Sequence, residues 1–313
     1  MPVQFIVTGF GEFHGVSRNP TQALVDWLLE KQPARCSRIT TQATATDAAF
    51  GTGEAASIVN RAEKAYDILS CTVLEVSATA VCKFLEEQAA RLQAACSAAG
   101  RQPVVLLHLG VDNQRTGLNL ELQAFNNATF RCPDQAGWQP NALAIEQGLG
   151  LTSVRSSALP VQQLAQELRG AGFDCHVSQD AGRFVCNYIY HKSLQLSCRL
   201  SRTQQQAAAG SGSSSSSSSC AVEAPDRQED ATSAAAAAAA AGASSDAGSS
   251  DGGSTPAAQQ QLQQLVDACE GTPCYSLFVH VPSFDAVTEE KQQQFLLALL
   301  DSISRRLARP VAA

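Results

Sequence analysis

The sequence predicts an α/β fold: a single domain with a mostly parallel, twisted central sheet and helices on both faces. Three observations carry that expectation. Strand-like and helix-like segments alternate along the chain. Some strand segments are almost entirely apolar, as strands covered on both faces must be. The helix-like segments repeat apolar residues every three to four positions, which leaves one stripe to bury.

Val3 to Gly9 is an apolar run that ends in the glycine-rich turn GFGEF. Asn19-Pro20 then starts a helix: asparagine can cap it, and proline sits where its missing N–H costs nothing. Leu24, Val25, Leu28 and Leu29 follow at helical spacing. ILSCTVLEV (68–76) reads as a strand and AVCKFLEEQAARLQAAC (80–96) as an amphipathic helix. VVLLHLG (104–110), bounded by Pro103 and a glycine, reads as a buried strand. LNLELQAF (118–125) alternates like a strand, although Leu118, Leu122 and Phe125 also suit a helix. After the turn-rich RCPDQAGWQP, Val161 to Leu168 is a short helix that Gly170 and Gly172 end. FDCHVS (173–178) and SLFVHV (276–281) read as strands, and AGRFVCNYIYHKSLQL (181–196) as a helix. Thr288 caps the last helix, with Glu289 and Glu290 in its first turn and Leu299, Ile303 and Leu307 as its buried stripe.

Of the 313 residues, 44% are hydrophobic and only 16% charged, against about 25% in a typical soluble domain. The deficit has a location. Residues 203–258 hold a serine run (213–219), an alanine run (234–241) and charges that sum to −5 of the net −7. Such a stretch offers too little apolar surface to offset the entropy of ordering, so it reads as a disordered low-complexity insertion. It is expected to act as an unselected spacer, with a phosphorylated tether as the alternative. Residues 1–202 plus 259–313 then form the α/β domain, with a net charge of −2. Neither part has the basic excess that a nucleic-acid partner requires. No run of 18 apolar residues spans a membrane. The opening MPVQFIVTGFGEF reads as a strand and not as a signal peptide, so a cytoplasmic location is expected. The eleven cysteines are then expected to be reduced thiols. They lack the C-x-x-C spacing of zinc sites, and neither a metal nor a cofactor is expected.

Three polar residues stand at junctions where catalytic groups lie. Cys186 sits one to two turns into helix 181–196, whose start is marked by Ser178, Asp180 and Gly182. A helix N-terminus favours the thiolate, which is the attacking species. His280 lies near the C-terminal edge of SLFVHV, where open α/β sheets place their ligands. Glu121 is a carboxylate on the polar side of an alternating segment. Each has a plain structural alternative: a buried thiol, a core histidine, a solvated strand face. His108, in VVLLHLG, has the same setting as His280.

Together these residues belong to a larger pattern. VTGFGEFHGVSRNP (7–20), HLGVDNQRTGLNLELQAFNNATFRCPDQAGWQP (108–140), SQDAGRFVCNYIYHKSL (178–194) and LFVHVP (277–282) occur in order, and the string DAGRFVCN is the most specific. The chain resembles the pyroglutamyl-peptidase I (pyrrolidone-carboxyl peptidase) family, and its CPDQAGW wording resembles plant-type or algal members. The resemblance implies a cysteine exopeptidase that removes N-terminal pyroglutamate from peptides through a thioester acyl-enzyme. It implies Cys186 as nucleophile, His280 as general base and Glu121 as the carboxylate that orients it. Arg131 would support the site and the oxyanion, while Phe10, Phe13, Asn19, Phe184 and Val185 would line the pyroglutamate pocket. One departure stands out. Val111 occupies the place where many members carry a lactam-binding glutamine, and Asn113 and Gln114 replace a pair of glycines before Arg115. Two alternatives stay open: a cysteine hydrolase of the same fold acting on another lactam or acyl amide, and a degenerate homologue that only binds peptides. The oligomeric state is open between a monomer and a small homo-oligomer.

Overall fold

Alternation along the first strand divides the interior in two. In Val3–Phe10 (β1), Val3, Phe5 and Val7 enter one hydrophobic core, and Ile6 and Phe10 enter the other. The computed structural model describes residues 2–13, 15–16, 18–31, 66–96, 102–209 and 273–308. Its strands continue with Tyr66–Leu74 (β2), Val104–Val111 (β3), Leu118–Glu121 (β4), Gln123–Phe125 (β5), Val154–Ser156 (β6), Cys175–Ser178 (β7) and Cys274–Val281 (β8). The helices are Pro20–Lys31 (α1), Ala78–Cys96 (α2), Val161–Gly170 (α3), Val185–Ala209 (α4) and Glu289–Ala308 (α5).

Six strands form the main sheet in the order β2-β1-β3-β8-β4-β7. All neighbours are parallel except β4 and β8. Helices α1, α3 and α5 cover one face and α2 and α4 the other. The central strands β3 and β8 are buried almost throughout, as their apolar sequences predict. Each fully buried side chain such as Leu106, Leu107 or Phe278 contributes roughly 1.5–3 kcal/mol by leaving water. Asn19 caps α1, its Oδ1 accepting from the Thr21 N–H at 3.0 Å. Thr288 precedes α5, and Leu299 and Ile303 are fully buried.

Some elements differ from their sequence reading. Residues 118–125 are two strands in two sheets. At Leu122 the chain changes partners: its N–H donates to Ser178 O, while its carbonyl accepts from Ser157 N–H. β5 then pairs antiparallel with β6, a three-residue strand too short to show alternation. β2 lies at 66–74 instead of 68–76 because Val3 of β1 sets its register against Tyr66. β7 begins at Cys175, and Phe173 instead packs edge-on against Phe295 from the preceding loop. Helix α4 begins at Val185, not at 181. The Asp180 carboxylate accepts from the Gly182 N–H at 2.9 Å, and Gly182 has φ +80°, so these residues form a turn ahead of the helix. The same helix runs on through Ala209, and residues 210–258 of the expected insertion lie outside the described residues.

Cys132, Cys175 and Cys186 are free thiols. Among the described residues no helix is long and apolar enough to cross a membrane.

Candidate active site

The C-terminal end of β8 carries the catalytic candidates because three elements meet there. The register sets His280 beside Gly110 of β3 on one side and opposite Asn119 of β4 on the other. Glu121, two residues further along β4, lies deeper and is fully buried. The His280 ring reaches it: His280 Nδ1 and Glu121 Oε1 are 2.8 Å apart. The Tyr190 hydroxyl of α4 donates to the Glu121 backbone carbonyl at 2.7 Å, which pins the carboxylate's strand to the helix that carries the cysteine. Cys186 is the second residue of α4, closer to the helix terminus than its sequence position suggested.

Glycine at position 110 is a steric requirement of this arrangement. A Cβ there would lie 2.5 Å from Phe278 Cζ and 3.0 Å from Cys186 Sγ. The helix start is held just as firmly. Asn187, fully buried, accepts from the Phe125 N–H at 2.8 Å and donates to the carbonyls of Phe125 and Asn127 at 2.9 and 3.1 Å.

Burial by itself pulls the His280 pKa down, because it penalises the imidazolium. Side-chain hydrogen bonding to Cys186 and Glu121, and their charge, outweigh it and raise the value from 6.5 to about 10. His108 shows the opposite balance. It is buried beside Thr8, whose Oγ1 lies 2.8 Å from its Nδ1, and burial pushes it down to about 3. His108 is therefore a neutral core residue.

A cavity of about 570 Å³ opens beside the thiol. Of the residues predicted from sequence, Cys186, His280, Arg131, Phe10, Phe13, Asn19, Phe184, Val185 and Val111 all line it, and Glu121 stands behind His280. Phe184 is the hub of its aromatic wall, 5.2 Å from Phe13 and 4.7 Å from Phe130 between ring centroids. The Arg131 guanidinium lies 5.6 Å from the same ring. Asn19 has both polar ends engaged, donating to Gly11 O at 2.9 Å and accepting from Thr21, so it shapes the floor of the cavity. Sequence reasoning missed Gly110, Tyr190, Asn187 and the rim residues Asp112, Arg115, Asp180 and Arg183. Arg115 bonds Asp112 at 2.9 Å, Asn119 Oδ1 at 3.1 Å and the Asp180 carbonyl at 3.3 Å, tying the β3–β4 loop to the approach to α4. Among the described residues no group of three or more metal-ligating side chains comes together.

Known proteins resemble this chain in sequence and in fold. Residues 56–210 match the family model of pyroglutamyl peptidase. The match covers just under half of the chain. A pyrrolidone-carboxylate peptidase of Vibrio parahaemolyticus is 37% identical over 91 residues, covering 29% of this chain and 42% of that protein. One from Thermococcus litoralis is 31% identical over 96 residues, or 31% and 43% of the two chains. The matched segments span less than half the length of these curated relatives. Solved structures extend the likeness in fold. The pyrrolidone carboxyl peptidase of Thermococcus litoralis gives a TM-score of 0.54 at 18% identity, covering 97% of this chain and 94% of its own. Pyroglutamyl peptidase I of Bacillus amyloliquefaciens gives 0.55 at 15%, covering 97% and 98%. The chain therefore shares the α/β fold of these peptidases at a sequence distance where fold is all that the structural likeness conveys.

Proposed function

We propose that this chain is a cysteine peptidase that hydrolyses the bond following an N-terminal pyroglutamyl residue, with Cys186, His280 and Glu121 as its triad. The observation that carries the reading is the buried His280–Glu121 pair at 2.8 Å, facing the cavity that Cys186 also lines. In this reading Glu121 fixes the tautomer and orientation of His280, and the raised pKa keeps the ring protonated at neutral pH. The imidazolium is the counter-charge that an attacking thiolate needs.

Attack by Sγ on the pyroglutamyl carbonyl gives a tetrahedral oxyanion. The backbone N–H groups in the first turn of α4 have no acceptor within the helix and are available to it. His280 then gives its proton to the departing amine as the C–N bond breaks, leaving a thioester. Neutral His280 takes a proton from water, the hydroxide adds to the thioester, and pyroglutamate leaves as the thiolate is restored. The substrate ring is neutral, which suits a cavity walled by Phe10, Phe13 and Phe184. Arg131 supports that wall through its contact with Phe184. Val111 leaves no side-chain amide at its position, so recognition of the lactam falls to backbone groups and neighbouring side chains of the same cavity.

The test is release of an aromatic amine from a pyroglutamyl amide by wild type, Cys186→Ala and Cys186→Ser. Both variants should lose turnover entirely, and unchanged turnover in either would sink the mechanism. Prolyl and glutaminyl amides assayed beside it separate pyroglutamate from other acyl groups.

A further inference from the structure

The cavity has a direction. Phe10 and Asn19 are 3% and 4% exposed, whereas Arg131 is open to solvent. A small neutral ring belongs at the buried end, so the chain beyond the scissile bond must pass the open rim. The rim is charged, and its charges are unequally matched. Arg115 is paired with Asp112 at 2.9 Å and Arg183 with Asp180 at 2.5 Å. Arg131 has no carboxylate partner among the described residues, and its guanidinium lies over the face of Phe184. Asp134, three residues on, is not available to it. Its Oδ1 accepts from the N–H groups of Ala136 and Trp138, and its Oδ2 from that of Ala78, each within 3.0 Å.

We infer that Arg131 is a specificity residue for the leaving group: it favours peptides that carry a carboxylate close behind the scissile bond. This inference rests on the peptidase reading above. Two sources present the same chemistry, an acidic side chain on the residue after pyroglutamate and the free C-terminus of a pyroglutamyl dipeptide. A guanidinium against an aromatic ring keeps its donors in one plane, which suits a carboxylate better than a lysine would. The pair is solvent-exposed, so the preference is modest, about twofold to fivefold at low salt, and screened as salt rises.

The acyl-enzyme is identical for every leaving group, so the preference must appear in kcat/KM and not in the rate of deacylation. The experiment compares four compounds: pyroglutamyl-alanine amide, pyroglutamyl-aspartate amide, pyroglutamyl-lysine amide and pyroglutamyl-alanine as the free acid. Wild type should favour the aspartate amide and the free acid over alanine amide, and lysine amide least, with the spread shrinking in high salt. The two carboxylate-bearing compounds tell the sources apart. Arg131→Gln should bring the ratios close to one, and Arg131→Glu should favour lysine. A residue that only supported the site would lower all four together. Should Arg131→Gln turn over too slowly, the salt dependence of the wild-type ratios decides. Equal kcat/KM across the series in wild type, with alanine amide hydrolysed, overturns this inference and leaves the peptidase reading standing. No hydrolysis of any of the four overturns both.

Discussion

Two histidines on adjacent strands, His108 on β3 and His280 on β8, have nearly the same sequence surroundings and opposite chemistry. Both are buried in an apolar strand, and both flank Phe278. Burial pushes each pKa down. Among the described residues His108 hydrogen-bonds only with the Thr8 hydroxyl and is held at about 3, whereas His280 meets a carboxylate and a thiol and is held at about 10. The difference teaches that a buried histidine's charge is decided by its partner and not by its depth. Two positions along the sheet separate a core residue from a catalytic candidate.

The largest way to break that contrast is Glu121→Gln. Without the carboxylate, His280 loses one of the two partners that hold its pKa up, the pKa falls, and turnover of a pyroglutamyl amide should drop by about 10²- to 10⁴-fold, the range general acid–base catalysis supplies. The alkaline limb of the pH–rate profile should move down with it, and a limb that stays near pH 10 would assign the shift to Cys186 alone. Gly110→Ala comes next. Its Cβ would press on Phe278, which lies between the two histidines, and on Cys186 Sγ. Overpacking of that kind costs about 1–3 kcal/mol, so both the melting temperature and turnover should fall. If turnover falls and stability does not, the clash is confined to the thiol.

The smallest effect is the pH dependence of stability, and its sign differs between the two residues. His280 has a raised pKa, so its contribution is complete below pH 6.5 and is lost as pH rises through about 10. His108 has a lowered pKa, so the folded state is penalised as pH falls from 6.5 toward 3. His191, also buried and held at about 3 by burial, Arg155 and Lys192, adds to the same acid limb. Denaturant unfolding across pH should show His108→Gln flattening the acid limb and His280→Gln the alkaline one. The slope change is at most about 1.4 kcal/mol per pH unit for one proton. Equal effects on both limbs would contradict the contrast.

The periodic elements could be read from sequence because each states its own burial. The α5 stripe of Leu299 and Ile303 and the all-apolar β3 and β8 depend on local pattern, and local pattern is visible. Elements set by long-range partners could not be read this way. Leu122 divides 118–125 between two sheets because Ser178 and Ser157 claim its two backbone groups. The start of α4 was displaced by the turn at Gly182, whose positive φ appears only in the folded backbone. The site divides along the same line. Cys186, His280, Glu121, Arg131 and the aromatic wall stand in the motif strings that carry the family resemblance. Gly110, Asn187 and Tyr190 lie in the same strings, but they act through contacts with residues remote in sequence, so the strings do not reveal what they do.

By itself, then, the sequence determined the layered α/β architecture, the acidic low-complexity stretch and the residue types available for cysteine chemistry. Hydrophobic periodicity and composition are local properties and survive without coordinates. Only the tertiary structure decided that His108 stays neutral in the core, which glycine makes room for the thiol, and which rim arginine is left, among the described residues, without an acidic partner. Those outcomes depend on strand register and loop closure, which bring together side chains as far apart as Glu121 and His280. Coulombic and steric effects act over a few ångströms of space, whatever the separation along the chain.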